Sequence, residues 1–101
     1  MSDAPAYLVI TSTPNPEKME KLQSYLHQIV PVLAAGGGKP VGRYRATEQA
    51  VGSDGPKSIA VLEYPSAQSI RDVVASGGFN ALNELRDEVF LRVDLMITEA
   101  M

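Results

Sequence analysis

The side chains of this 101-residue sequence whose types suit chemistry are Glu63, Arg92, Asp94, His27 and Tyr44. Arg92 and Asp94 lie in the tail Phe90-Leu91-Arg92-Val93-Asp94-Leu95-Met96-Ile97, which alternates strictly between two kinds of position. In an extended chain successive side chains point to opposite faces. Leu91, Val93, Leu95 and Ile97 are therefore expected on one side, and Phe90, Arg92, Asp94 and Met96 on the other. The first face reads as a core surface. The second sets an opposite-charge pair between apolar neighbours, the makings of a small polar pocket on a sheet. A guanidinium in such a pocket can orient a polar or anionic molecule. A carboxylate desolvated there, with Glu63 the candidate, can rise in pKa and act as a general base. His27 is the only imidazole and titrates near neutrality, so it is the second candidate base and a natural proton carrier. Tyr44, between Arg43 and Arg45, is the tyrosine best placed to offer its hydroxyl to a ligand.

Each of these residues also has a plainer account. Arg92 can pair with Asp94 or Glu63 simply to fix the register of an interface, a structural role that buried ion pairs often take. His27 lies about 100° around a helix from Leu26, on the flank of the apolar stripe, where a half-exposed surface residue is the ordinary outcome. Arg43 and Arg45 alternate on a strand, as on a solvated face. Tyr7, Tyr25, Tyr44 and Tyr64 read as core or interface rings.

Composition narrows the classes. The chain has the length of one domain with a single core. Apolar residues make up 45% and charged residues 21%, an ordinary globular balance. A net charge of −3 argues against generic nucleic-acid binding, which needs a basic face. No cysteine is present, which removes disulfides, thiolate metal sites and cysteine nucleophiles together. With one histidine, no metal site is expected, and no cofactor is implied. The start, Met1-Ser2-Asp3-Ala4-Pro5, lacks a basic segment followed by an apolar run, so no signal peptide is expected. No stretch approaches the roughly 20 apolar residues that span a bilayer. A cytoplasmic location and no membrane partner are the resulting expectations.

The elements that must position these residues follow from pattern. Residues 6–11 read as a buried strand ending in Thr13-Pro14-Asn15-Pro16, with Asn15 as N-cap and Pro16 at the first helical position. Met19, Leu22, Leu26, Ile29 and Leu33 then form one apolar helical stripe. Pro31 cannot donate to the carbonyl of His27, so an interruption is expected there. Gly36-Gly37-Gly38 ends the helix; it follows a helix rather than preceding one, which argues against a phosphate loop. Residues 40–47 and 58–64 read as strands, separated by the turn chemistry of Val51-Gly52-Ser53-Asp54-Gly55-Pro56. Ser66 caps a helix with Ala67, Ile70, Val73 and Val74 inward, stopped at Ser76-Gly77-Gly78. A shorter helical piece carries Phe79, Leu82 and Leu85, and the tail strand follows. Ser-His-Asp catalysis has no nucleophile-elbow context.

The order is β-α-β-β-α-β, the ferredoxin-like α+β plan, with a four-stranded antiparallel sheet and helices on one face. The other face would carry several of Val9, Val61, Phe90 and Met96. An apolar sheet surface of that kind rarely stays uncovered, so a homodimer packed sheet to sheet is expected.

Tyr25, Pro31, the glycines before Lys39, Val61-Leu62-Glu63-Tyr64-Pro65-Ser66, Ser76, Phe79, Leu82 and Arg86 carry a resemblance. From about Tyr7 to Glu99 the chain resembles a family of short bacterial proteins known as a domain of unknown function (number thirteen-thirty), within the dimeric α+β barrel superfamily. The resemblance implies the fold and the dimer, and no settled reaction. It also implies that Tyr64 packs under the second helix, which sends Glu63, with Ile59 and Val61, toward the barrel interior. Two departures stand out: Val51-Gly52 replaces a Glu-Gly pair, and Val73 and Val74 stand where aromatic residues are usual. If those features line the family's ligand site, this member binds something different or nothing. Relatives in the superfamily include cofactor-free monooxygenases, lactone isomerases and haem-degrading enzymes, and so many chemistries on one fold make analogy weak.

The reading is a homodimer that binds a small polar or aromatic metabolite in the barrel cavity, with Arg92, Asp94 and Tyr44 as ligand-binding candidates. One alternative is a cofactor-free monooxygenase or isomerase with Glu63 or His27 as base and Arg92 stabilising the anion. The other is a structural dimer module with no ligand.

Overall fold

A computed structural model describes residues 4–101. Strand β1 (Ala6–Pro14) leads through a single 3-10 turn (Pro16–Lys18) into helix α1 (Met19–Ala35). Strands β2 (Lys39–Arg45) and β3 (Ser58–Tyr64) follow, then helix α2 (Ala67–Val74), the short helices α3 (Gly77–Asn80) and α4 (Asn83–Val89), and strand β4 (Phe90–Glu99). The strands form one antiparallel sheet in the order β2-β3-β1-β4. This is the ferredoxin-like α+β plan expected from the sequence. The thinnest extent, 16 Å, fits one sheet and one helix layer, so the sheet's second face is open.

Local chemistry accounts for the boundaries. Asn15 caps the 3-10 turn through its side chain, which accepts from the Glu17 N–H at 3.0 Å. Its own backbone N–H donates to the Val89 carbonyl at 2.8 Å, tying the entry of α1 to the end of α4. Pro31 does not interrupt α1, which continues to Ala35. The residue sits on the exposed side, so the helix loses one internal hydrogen bond but buries no orphaned group there. The helix ends as the glycines predict: Gly37 has φ +100°, and Gly38 N–H donates back to the Leu33 carbonyl at 3.2 Å. Gly38 also lies against the Tyr64 ring, where a Cβ would come within 2.7 Å.

The core holds Ala6 and Leu8 of β1, Tyr64 of β3, Ile70 and Val73 of α2, and Leu22, Tyr25, Ile29 and Leu33 of α1. Phe79 of α3, Val89 of α4 and Leu82 between those helices close it. Tyr64 is packed inward as the resemblance implies, its hydroxyl donating to the Leu33 carbonyl at 3.0 Å.

The tail strand departs from strict alternation at its first turn of phase. Thr13 pairs with Arg92 but Pro14 pairs with Phe90, so Leu91 is an extra residue in a bulge. Leu91 therefore points to solvent, 66% exposed, instead of into the core. Phe90 turns to the helix side, its ring edge-on to Tyr25 at 5.6 Å, instead of onto the open face. Beyond the bulge the expected phase returns: Val93 and Leu95 face the helices, while Arg92, Asp94 and Met96 pair across to Thr13, Thr11 and Val9 on the open face.

Candidate functional site

The cavity lies on the helix side of the sheet. About 400 Å³ of space separates α1 from the strands beneath it. The roof is Leu22, Tyr25, Leu26, Ile29 and Leu33 of α1, and the floor is Ile10 and Ser12 of β1, Ala60 and Leu62 of β3, and Val93 and Leu95 of β4. Phe79 and Phe90 close one end. Such a volume and such walls suit a small, largely apolar molecule. Among the described residues the walls include no carboxylate and no imidazole.

A buried cation stands behind one wall. Arg86 of α4 is 7% exposed and has no carboxylate partner among the described residues. Its guanidinium is satisfied by neutral groups: Nε donates to the Tyr25 hydroxyl at 2.9 Å, one terminal nitrogen to the Phe79 carbonyl at 3.0 Å, and the other to the Asn83 side-chain carbonyl. It also stacks on the Phe79 ring at 4.0 Å from the centroid. A buried cation demands this many partners because its desolvation is costly. Tyr25 sits between this cation and the cavity. Burial raises its pKa, and the hydrogen bond and charge of Arg86 offset that only in part, so the phenol stays neutral. Its oxygen accepts from Arg86, while its own proton meets no acceptor among the described residues. A polarised O–H donor on an apolar wall can hold a carbonyl, a phenol or a developing oxyanion.

The residues singled out from sequence lie elsewhere. Arg92 and Asp94 do meet, with Nε to Oδ2 at 2.9 Å, but their side chains are 78% and 47% exposed on the open face. Glu63 shares that face, registered between Tyr7 and Lys39. Tyr44 folds back over Gly42 on the edge strand β2 and is 57% exposed. His27 is on the solvent side of α1. None of the five lines the cavity, and the structure does not bring His27 and Glu63 together. Among the described residues no three His, Asp or Glu side chains gather as a metal site. The residues that sequence reasoning passed over are Tyr25 and Arg86. Both belong to the set that carries the family resemblance, which was the available signal.

Comparison with known proteins decides the family. Residues 5–101 match the family described as "Domain of unknown function (DUF1330)". The chain belongs to that family. No curated protein matches this DUF1330 chain in sequence. Among solved structures it is similar to a protein of unknown function from Rhodopseudomonas palustris, with a TM-score of 0.82 and 16% identity over 98% of this chain and 84% of that one. It is also similar to a protein from Nitrosomonas europaea named for antibiotic biosynthesis monooxygenases, with a TM-score of 0.70 and 6% identity over 100% of this chain and 94% of that one. A NIPSNAP-like domain protein from Burkholderia xenovorans matches with a TM-score of 0.64 and 9% identity over 96% and 85%. At these identities the likeness establishes the DUF1330 fold and no activity.

Proposed function

We propose that this protein binds a small, predominantly apolar molecule, with an aromatic ring the best fit, in the cavity beneath α1. The observation that carries the reading is an apolar chamber of about 400 Å³ with one oriented hydrogen-bond donor, Tyr25, held by Arg86. Apolar walls supply affinity through burial, and the single donor selects a molecule with a polar atom at the matching position. Binding of 2-naphthalenemethanol, followed by calorimetry, tests it. Saturable binding by the natural sequence and its loss in Ala60→Met, which fills the floor, are expected. Equal binding by both would contradict the reading.

The open face of the sheet is read as the surface of a homodimer. Tyr7, Val9, Ile59, Val61 and Met96 form an apolar field there, and Arg92, Asp94 and Glu63 stand among them. In a sheet-to-sheet pair the role of these charges is to fix register rather than to hold the ligand. Sedimentation should give twice the chain mass, and Val61→Asp should give single chains.

A second reading is turnover without a cofactor, as in a monooxygenase or isomerase. Its support is the Tyr25–Arg86 pair, which could stabilise an oxyanion on a bound molecule. Glu63 and His27 lie outside the walls, so in that reading neither serves as the base without a second copy or a rearrangement.

A further inference from the structure

Toward the β2–β3 edge the cavity opens into a groove of about 560 Å³, with which it shares Pro14, Arg43 and Ser58. The groove carries three cations, Arg43, Arg45 and Lys57. In an acidic protein this concentration is notable, because among the described residues none of the three has a carboxylate within ion-pair reach. Register places Arg43 opposite Ala60 and Arg45 opposite Ser58, so both lean to the cavity's side of the sheet.

A second, independent observation lies just inside this mouth. Ser12 is 7% exposed and lines the cavity, and its hydroxyl makes no hydrogen bond to any described group. Ser58 is its direct cross-strand partner and lines the same wall. No buried side-chain oxygen among the described residues lacks a partner, so the Ser12 hydroxyl keeps accessible surface on the cavity it lines and is a donor open to a ligand there. Two hydroxyl donors within and three cations at the rim make one end of an apolar chamber anion-selective.

The geometry points to an amphipathic carboxylate as the ligand, its apolar body beneath α1 and its carboxylate at the Ser12–Ser58 end facing Arg43. The inference rests on the proposed binding function and specifies its ligand class. Guanidinium and carboxylate match as a planar fork, and hydrogen bonds to an ionised group are stronger than neutral ones. Because the rim is open to water, the gain is modest and sensitive to salt.

The test compares 2-naphthoate with 2-naphthalenemethanol by calorimetry at low salt. Naphthoate should bind about tenfold more tightly, the lower end of what one charge-assisted hydrogen bond contributes. Arg43→Gln, checked for an intact fold by circular dichroism, should erase that advantage, read as the ratio of the two affinities. Raising the salt should shrink the advantage in the natural sequence. Equal affinity for the two compounds, or a naphthoate advantage that survives in Arg43→Gln/Arg45→Gln, would overturn the anion assignment while the cavity reading stands. If neither compound binds, both fail. Loss of both compounds in Ala60→Met with binding by the natural protein would uphold the cavity independently of the charge.

Discussion

Helices α1 and α2 cover the same face of the same sheet, but only one of them is seated on it. Helix α2 follows β3 directly through Pro65-Ser66 and drops Ile70 and Val73 onto the fully buried side chains of Ala6, Leu8 and Tyr64. Helix α1 is twice as long and is held at its ends. Its first turns are tied to α4 by Asn15, by Lys21 and Lys18 on Glu88, and by Tyr25 on Arg86. Its last turn is tied to the sheet by Tyr64 at the Leu33 carbonyl and by close-packed glycines. Between those anchors it spans a gap, and the gap is the cavity. The same β1 strand thus serves two purposes: Ala6 and Leu8 build the core under α2, while Ile10 and Ser12 floor a chamber under α1. The side chains with no exposure under a helix lie beneath α2, and the open space lies beneath α1.

Mutations should expose that division. Leu8→Ala, on the seated side, removes a side chain with no exposure and should cost about 3–4 kcal/mol by chemical denaturation. Leu26→Ala, in the roof, should cost about 1–2 kcal/mol, because a wall of an existing cavity already lacks contacts on one side. Similar costs for the two would break the comparison. Arg86→Met should fall between them, about 2–3 kcal/mol, since it leaves the Phe79 carbonyl and Tyr25 hydroxyl without their donor. Ala60→Met should lie within about 1 kcal/mol of the natural protein, for it adds volume to space already empty. A large loss there would mean the chamber is not real.

The pH dependence sharpens the same picture. Burial raises the Tyr25 pKa above the ordinary tyrosine value of 10.0, against the hydrogen bond and charge of Arg86. Burial alone raises that of Tyr64. A group whose pKa is higher folded than unfolded contributes stability below the unfolded value and loses it as pH rises through the folded one. Stability should therefore decline above about pH 10, and Tyr25→Phe should make that decline shallower without removing it. An identical alkaline slope in the variant would show that Tyr25 is not buried against the cation.

Much of this architecture was legible in residue order, and the reasons are local. The Asn15 cap, the glycine stop after α1, the Ser66 cap and the two-residue period of Val93 and Leu95 all act within a few neighbours. What failed to show depends on distant partners. Phe90 and Leu91 trade faces because of a bulge set by pairing with Pro14, across more than seventy residues of chain. The cavity arises from how α1 is suspended between anchors, which no stretch of sequence encodes by itself. Arg86 entered only as one of the residues that carry the resemblance, because its burial depends on Tyr25, Phe79 and Asn83 together. Arg92 and Asp94 take the open face, as their phase in the tail predicts, and so lie away from the chamber beneath α1.

The central claim is that ligand occupies the helix side of the sheet. Intermolecular nuclear Overhauser contacts from bound 2-naphthoate measure this directly. Contacts to the methyl groups of Ile10, Leu26 and Val93 are the predicted result. Contacts to Val9, Ile59 and Met96 instead would place the ligand on the open face and contradict the account.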